Sequence, residues 1–76
     1  MGNEANKKFR ELLVDARRRA DLTQAQLSSR LKRPQSFVSK YERGERRLDV
    51  VEFRDVARAL GVDPLRLLGK LYREIP

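Results

Sequence analysis

The sequence predicts an all-α domain of five helices, and three observations predict it. Apolar residues recur at three- and four-residue spacing through four separate stretches, the period of a helix with one buried face. Capping signals stand before three of them, Thr23 with Gln26, Asp49 with Glu52, and Asp63 with Pro64, where a side chain can satisfy the N–H groups a helix start leaves open. Breakers follow at Pro34, Gly44 and Gly61, which divide the chain into short pieces.

The first helix is expected from about Glu4 or Ala5 to Ala20, with Phe9, Leu12, Leu13, Ala16 and Ala20 as its buried stripe. Its last turn carries Arg17, Arg18 and Arg19, cations suited to the negative end of the helix dipole. Arg17 follows Leu13 by four and can turn inward, with Glu42 as the obvious counter-ion. The second helix opens on the Thr23–Gln26 capping box and runs to about Lys32, burying Ala25, Leu27 and Leu31. Pro34 disfavours helical geometry at Arg33 and fits the first turn of a third helix. That helix turns Val38 and Tyr41 inward and ends at Gly44, suited to a left-handed C-terminal residue. Two short helices and a tight turn between Thr23 and Gly44 make a helix-turn-helix.

The loop Glu45-Arg46-Arg47-Leu48 follows, with Leu48 expected in the core. The fourth helix runs from the Asp49–Glu52 box to Leu60, with Phe53, Val56, Ala57 and Leu60 inward. Val50 and Val51 cannot both face the core, so one is expected to be partly exposed or in a subunit contact. The fifth helix runs from Asp63-Pro64 to about Tyr72 or Arg73. Its Leu65, Leu67, Leu68, Leu71, Tyr72 and Ile75 exceed what one face needs, and Leu65, Leu68, Leu71, Tyr72 and Ile75 are the candidates for a dimer interface. Residues 1–76 read as one domain with a core of 7–72, and 1–4 and 74–76 as frayed ends.

The chain has 76 residues, 18 basic and 11 acidic, for a net charge of +7, with no cysteine and no histidine. A core this small gains from a partner subunit. Disulfides and His- or Cys-based metal sites are excluded, and no metal or cofactor is expected. Serines without histidine lack an activating base, and the carboxylates serve as caps and ion pairs, so no enzyme is expected. No apolar run is long enough to span a bilayer, and a cytoplasmic, nucleoid-associated location is expected. The charge is concentrated: between Arg17 and Arg47 lie Arg17, Arg18, Arg19, Arg30, Lys32, Arg33, Lys40, Arg43, Arg46 and Arg47 against Asp21, Glu42 and Glu45. That surplus around a helix-turn-helix is the footprint of a nucleic-acid binder. On the third helix Gln35, Ser36, Ser39 and Lys40 remain outside, side chains able to pair with base edges in the major groove.

With TQAQLSSRL, PQSFVSKYERG and LDVVEFRDVARALGVDP in view, the chain resembles the phage lambda repressor and Cro type of helix-turn-helix, the XRE family, over roughly Phe9 to Leu68. The resemblance rests on Thr-Gln opening the second helix, Ser-Lys-Tyr-Glu-Arg-Gly closing the third, and Ala-Leu-Gly-Val-Asp between the fourth and fifth. It implies a five-helix fold with the third helix in the major groove of double-stranded DNA, and a homodimer on a palindromic operator. It also implies that Gln24 holds a phosphate, that Gln35, Ser36 and Lys40 reach bases with Ser39 beside them, and that Arg43, Arg46 and Arg47 contact the backbone. Arg33 is counted with this phosphate set. Arg17 and Glu42 match a pair that forms an internal salt bridge. Three positions depart from the pattern. Lys32 stands where glycine is common, so either the turn is altered or the second helix is longer. Pro34 replaces a hydroxyl cap. Phe37 either touches a thymine methyl or sugar, or packs on the fourth helix.

The expected function is a sequence-specific transcriptional regulator, a repressor acting as a homodimer. Two alternatives stand beside it: the antitoxin of a toxin–antitoxin pair, docking a toxin on its surplus leucines, and a protein-interaction adaptor.

Overall fold

The computed structural model describes residues 2–74, with side chains from Glu4 to Arg73. The expectations for Ile75 at a dimer contact and for fraying at residues 1, 75 and 76 lie outside the described residues. Five helices follow in order: α1 (Gly2–Arg19), α2 (Gln24–Arg30), α3 (Ser36–Glu42), α4 (Val50–Leu60) and α5 (Pro64–Glu74), with no strand among the described residues. Their neighbours form a closed circuit: α1 packs on α3 and α5, α2 on α3 and α4, and α4 on α5. Inside it lie Leu13 and Ala16 of α1, Leu27 of α2, Phe37, Val38 and Tyr41 of α3, Phe53, Val56, Ala57 and Leu60 of α4, and Leu67 of α5. Burial of each large side chain contributes about 1.5–3 kcal/mol. The rings of Phe9 and Phe53, 5.3 Å apart, join α1 to α4.

Four helix ends share one hydrogen-bond pattern. Leu22 N–H donates to Arg17, Arg33 N–H to Ser28, Glu45 N–H to Lys40 and Val62 N–H to Ala57, each five residues back. The residue just before each donor takes a positive φ: Asp21, Lys32, Gly44 and Gly61. This is the Schellman arrangement, which satisfies the open carbonyls of a helix end. Glycine adopts that φ freely, whereas Asp21 (58°) and Lys32 (56°) do so against the steric preference of a side chain.

Several expectations need correction. The helix α1 starts at Gly2 rather than Glu4 or Ala5, because no breaker lies between them and Glu4 suits the positive end of the helix. It stops at Arg19, one residue before Ala20, where Asp21 turns the chain. The second helix ends at Arg30 instead of reaching Lys32, so Lys32 makes the turn itself. Pro34 precedes α3 and its carbonyl accepts from Phe37 N–H at 2.9 Å. Ala25 is exposed, and the buried place beside Leu27 belongs to Ser28. Both Val50 (82% exposed) and Val51 (58%) lie outside the core. On α5, Leu67 is buried, Leu68 and Leu71 are half-buried, and Leu65 and Tyr72 are exposed at 74% and 76%.

Candidate nucleic-acid interface

The helix-turn-helix is held together by a hydroxyl that sequence reasoning missed. Ser28, fully buried on α2, donates to the carbonyl of Gln35 at 3.2 Å and accepts from Val38 N–H at 3.3 Å. One side chain thereby fixes the start of α3 on α2. Its only sequence signal was its place beside Leu27 on the stripe.

The end of α3 is fastened by Glu42. Arg17 donates to it twice, Nε to Oε2 at 2.8 Å and Nη2 to Oε1 at 3.2 Å, and Arg17 Nη1 donates to the Leu22 carbonyl at 2.8 Å. The side chains of Arg17 and Glu42 are only 12% and 5% exposed. Gln24 Nε2 donates to Glu42 Oε1 at 2.7 Å. Gln24 therefore spends one amide proton inside the protein and keeps the rest of its amide for an outside partner.

Beside Gln24 lies a shallow depression lined by Thr23, Gln24, Ala25, Gln35, Ser36 and Ser39. This brings together Gln24 and three of the four side chains expected at bases, Gln35 at the N-cap of α3 and Ser36 and Ser39 on it; Lys40 is exposed on the same helix. The Gln35 side chain makes no capping bond and its amide is uncommitted there. Ser39 Oγ donates to the Ser36 carbonyl at 3.0 Å. With its proton used, Ser39 offers an outside group only acceptor lone pairs.

The opposite flank of α3 centres on Phe37 and Glu52. Phe37 is 6% exposed, so it packs rather than projecting outward. The guanidiniums of Arg33 and Arg46 lie 4.7 and 4.9 Å from its ring centre, within cation–π range. Both converge on Glu52: Arg33 Nη2 reaches Oε2 at 3.0 Å, and Arg46 reaches Oε2 at 2.6 Å and Oε1 at 3.0 Å. Glu52 Oε1 also accepts from Asp49 N–H at 3.0 Å, closing the capping box on α4. The bonds from Arg46, then that from the Asp49 backbone, hold the Glu52 carboxyl down to about 2, because each favours the charged form.

The arginines assigned to phosphate thus divide. Arg43 pairs with Glu45 at 2.9 Å, and Arg33 and Arg46 share Glu52, all with exposed or partly exposed guanidiniums. Arg47 is exposed and makes no ion pair among the described residues. Of the remaining cations, Arg19 pairs with Asp15, and Arg30 donates to the Ala59 carbonyl. Among the described residues no cluster of acidic side chains could hold a metal ion, and no helix is long and apolar enough to cross a membrane.

A family model described as a helix-turn-helix domain matches residues 8–68. No curated protein matches the sequence. Among solved structures, an XRE-family like protein from Pseudomonas syringae pv. tomato str. DC3000 superposes with a TM-score of 0.92 at 51% identity, covering 97% of this chain and 90% of that one. On the strength of matches that span nearly all of its helices, the chain belongs to the XRE family of helix-turn-helix DNA-binding proteins.

Proposed function

We propose that this protein is a transcriptional repressor that binds a palindromic operator as a homodimer and acts by occupying promoter DNA, on the nucleoid in the cytoplasm. The observation that carries the reading is the outer face of α3. Ser36, Ser39 and Lys40 lie on a helix pinned at both ends, with Gln35 at its N-cap, beside Gln24 and on a chain of net charge +7. In this reading Gln35, Ser36 and Lys40 donate to or accept from base edges, and Ser39 accepts. Gln24, Arg33, Arg43, Arg46 and Arg47 hold the backbone and fix register. The core of this unit is 7–72.

The second copy docks on α5. Leu65, Gly69 and Tyr72 follow at four- and three-residue spacing, which puts them in one stripe, and Leu65 and Tyr72 are exposed. Half-buried Leu68 and Leu71 extend it.

Selection of bound sequences from a random duplex pool, with the solution mass recorded at the same concentration, tests both parts. Enrichment of an inverted repeat by a species of twice the monomer mass supports the reading. A monomer that enriches nothing overturns it, and leaves α5 as a surface for another protein, as in an antitoxin or an adaptor.

A further inference from the structure

Glu52 carries a negative charge on the flank of α3 where DNA phosphates should pass, and simple electrostatics makes it a hindrance. The geometry around it says otherwise. Its carboxylate accepts four N–H groups, three from Arg33 and Arg46 and one from the Asp49 backbone, which fills the acceptor positions of a carboxylate. The two arginines come from opposite ends of α3, Arg33 from the turn before it and Arg46 from the loop after it. Their Nη2 atoms meet on a single oxygen, Oε2, at 3.0 and 2.6 Å. Phe37 lies under both guanidiniums. Arg46 Nη1 is further held by the Arg47 carbonyl at 3.0 Å. Neither arginine is used up: Arg33 gives one of its five N–H groups to Glu52, Arg46 retains two, and their side chains are 40% and 36% exposed.

We infer that Glu52 is a positioning residue for DNA binding, which together with Phe37 holds Arg33 and Arg46 as one preformed clamp for a backbone phosphate. The inference rests on the DNA-contacting reading of this face and deepens it. Without the carboxylate the two like charges repel, leave the ring, and must be ordered again each time DNA binds. Ordering a long side chain at an interface costs affinity, and two of them together correspond to about a tenfold loss per subunit.

The test is Glu52→Gln, because glutamine still closes the capping box and keeps the volume. Affinity for the selected duplex, or for calf-thymus DNA where none is selected, is measured by fluorescence anisotropy at several salt concentrations, with urea unfolding as the check on folding. The expected result is binding weaker by about tenfold per subunit, about a hundredfold for a dimer engaging both half-sites, and a shallower salt dependence, by ~0.9 for each phosphate no longer engaged. In an Arg33→Ala/Arg46→Ala background the same substitution should no longer weaken binding. Tighter binding by the Glu52→Gln variant, which loss of a negative charge alone would give, overturns the inference while leaving DNA binding intact. Unchanged affinity and slope overturn it as well. A wild-type protein that binds no DNA overturns the reading of the face and this inference with it.

Discussion

Replacing Glu42 by alanine should remove a large part of this protein's stability. Glu42 is 5% exposed, and it faces an Arg17 guanidinium that is 12% exposed. The substitution leaves that guanidinium with only the Leu22 carbonyl, and takes away the acceptor of Gln24 Nε2. Stripping one partner from a buried ion pair costs about 3–5 kcal/mol. Residual exposure of Arg17 puts the expectation at the lower end, about 3–4 kcal/mol. A chain of this length has about 4–11 kcal/mol in all. The melting temperature should fall by roughly 15–25 °C. Urea unfolding followed by circular dichroism measures the loss, and Arg17→Met combined with Glu42→Leu should recover most of it, because the buried charge is gone from both sides. A loss below about 1 kcal/mol for Glu42→Ala, the range of an exposed pair, would refute the claim that this pair fastens α3 to α1.

Other outcomes follow from particular residues. Lys32→Gly should stabilise by about 0.5–1 kcal/mol, since Lys32 sits at φ 56° and glycine removes the steric cost at some expense in unfolded-state entropy; a lower urea midpoint would contradict this. Glu52 has its carboxyl held at about 2 in the folded chain against 4.5 ordinarily, so its contribution is fully present above about pH 4.5 and is lost as pH falls toward 2. Unfolding midpoints taken between those values should decline more steeply for the wild type than for Glu52→Gln. Lys40→Ala should relax preference at one base pair per half-site by about 1–3 kcal/mol, whereas Arg47→Ala should weaken all duplexes alike, as competition binding with single-base variants will show. A dimer engaging six to ten phosphates should lose about 10³–10⁵ in affinity between ~50 and ~200 mM salt, and a flat titration would count against the whole interface.

Much of the fold was legible because its signals are local. Thr23 meets Gln26 and Asp49 meets Glu52 three residues away, and both reciprocal caps form. The inward stripe of α4 needed only the helical period, and Phe53, Val56, Ala57 and Leu60 are all buried. What could not be read depends on where the turns place the chain. Pro34 disfavours helical geometry at Arg33, yet nothing local says that the lysine before that arginine will take the left-handed conformation. Ser28 matters because Gln35 and Val38 arrive above it, seven and ten residues on. The second role of Glu52 requires Arg33, nineteen residues earlier, to meet Arg46 on the same oxygen.

The charge count misleads for a related reason. A count of ten cations around a helix-turn-helix does not say which of them face DNA, because two carboxylates engage three of them, Arg17, Arg33 and Arg46, before any DNA arrives. Glu42 takes Arg17 and Gln24 at the end where α1 and α2 meet α3, and Glu52 takes Arg33 and Arg46 at the side toward α4. The two sites differ in how much guanidinium is left over. Arg17 is 12% exposed and is spent on the scaffold, whereas Arg33 and Arg46, at 40% and 36%, keep outward N–H groups. Carboxylate pairing alone therefore does not remove an arginine from an interface; burial does. By that criterion α3 is braced at one side by a pair that only stabilises and at the other by a cluster that also presents charge, which holds its polar face from both sides, as the proposed base contacts require.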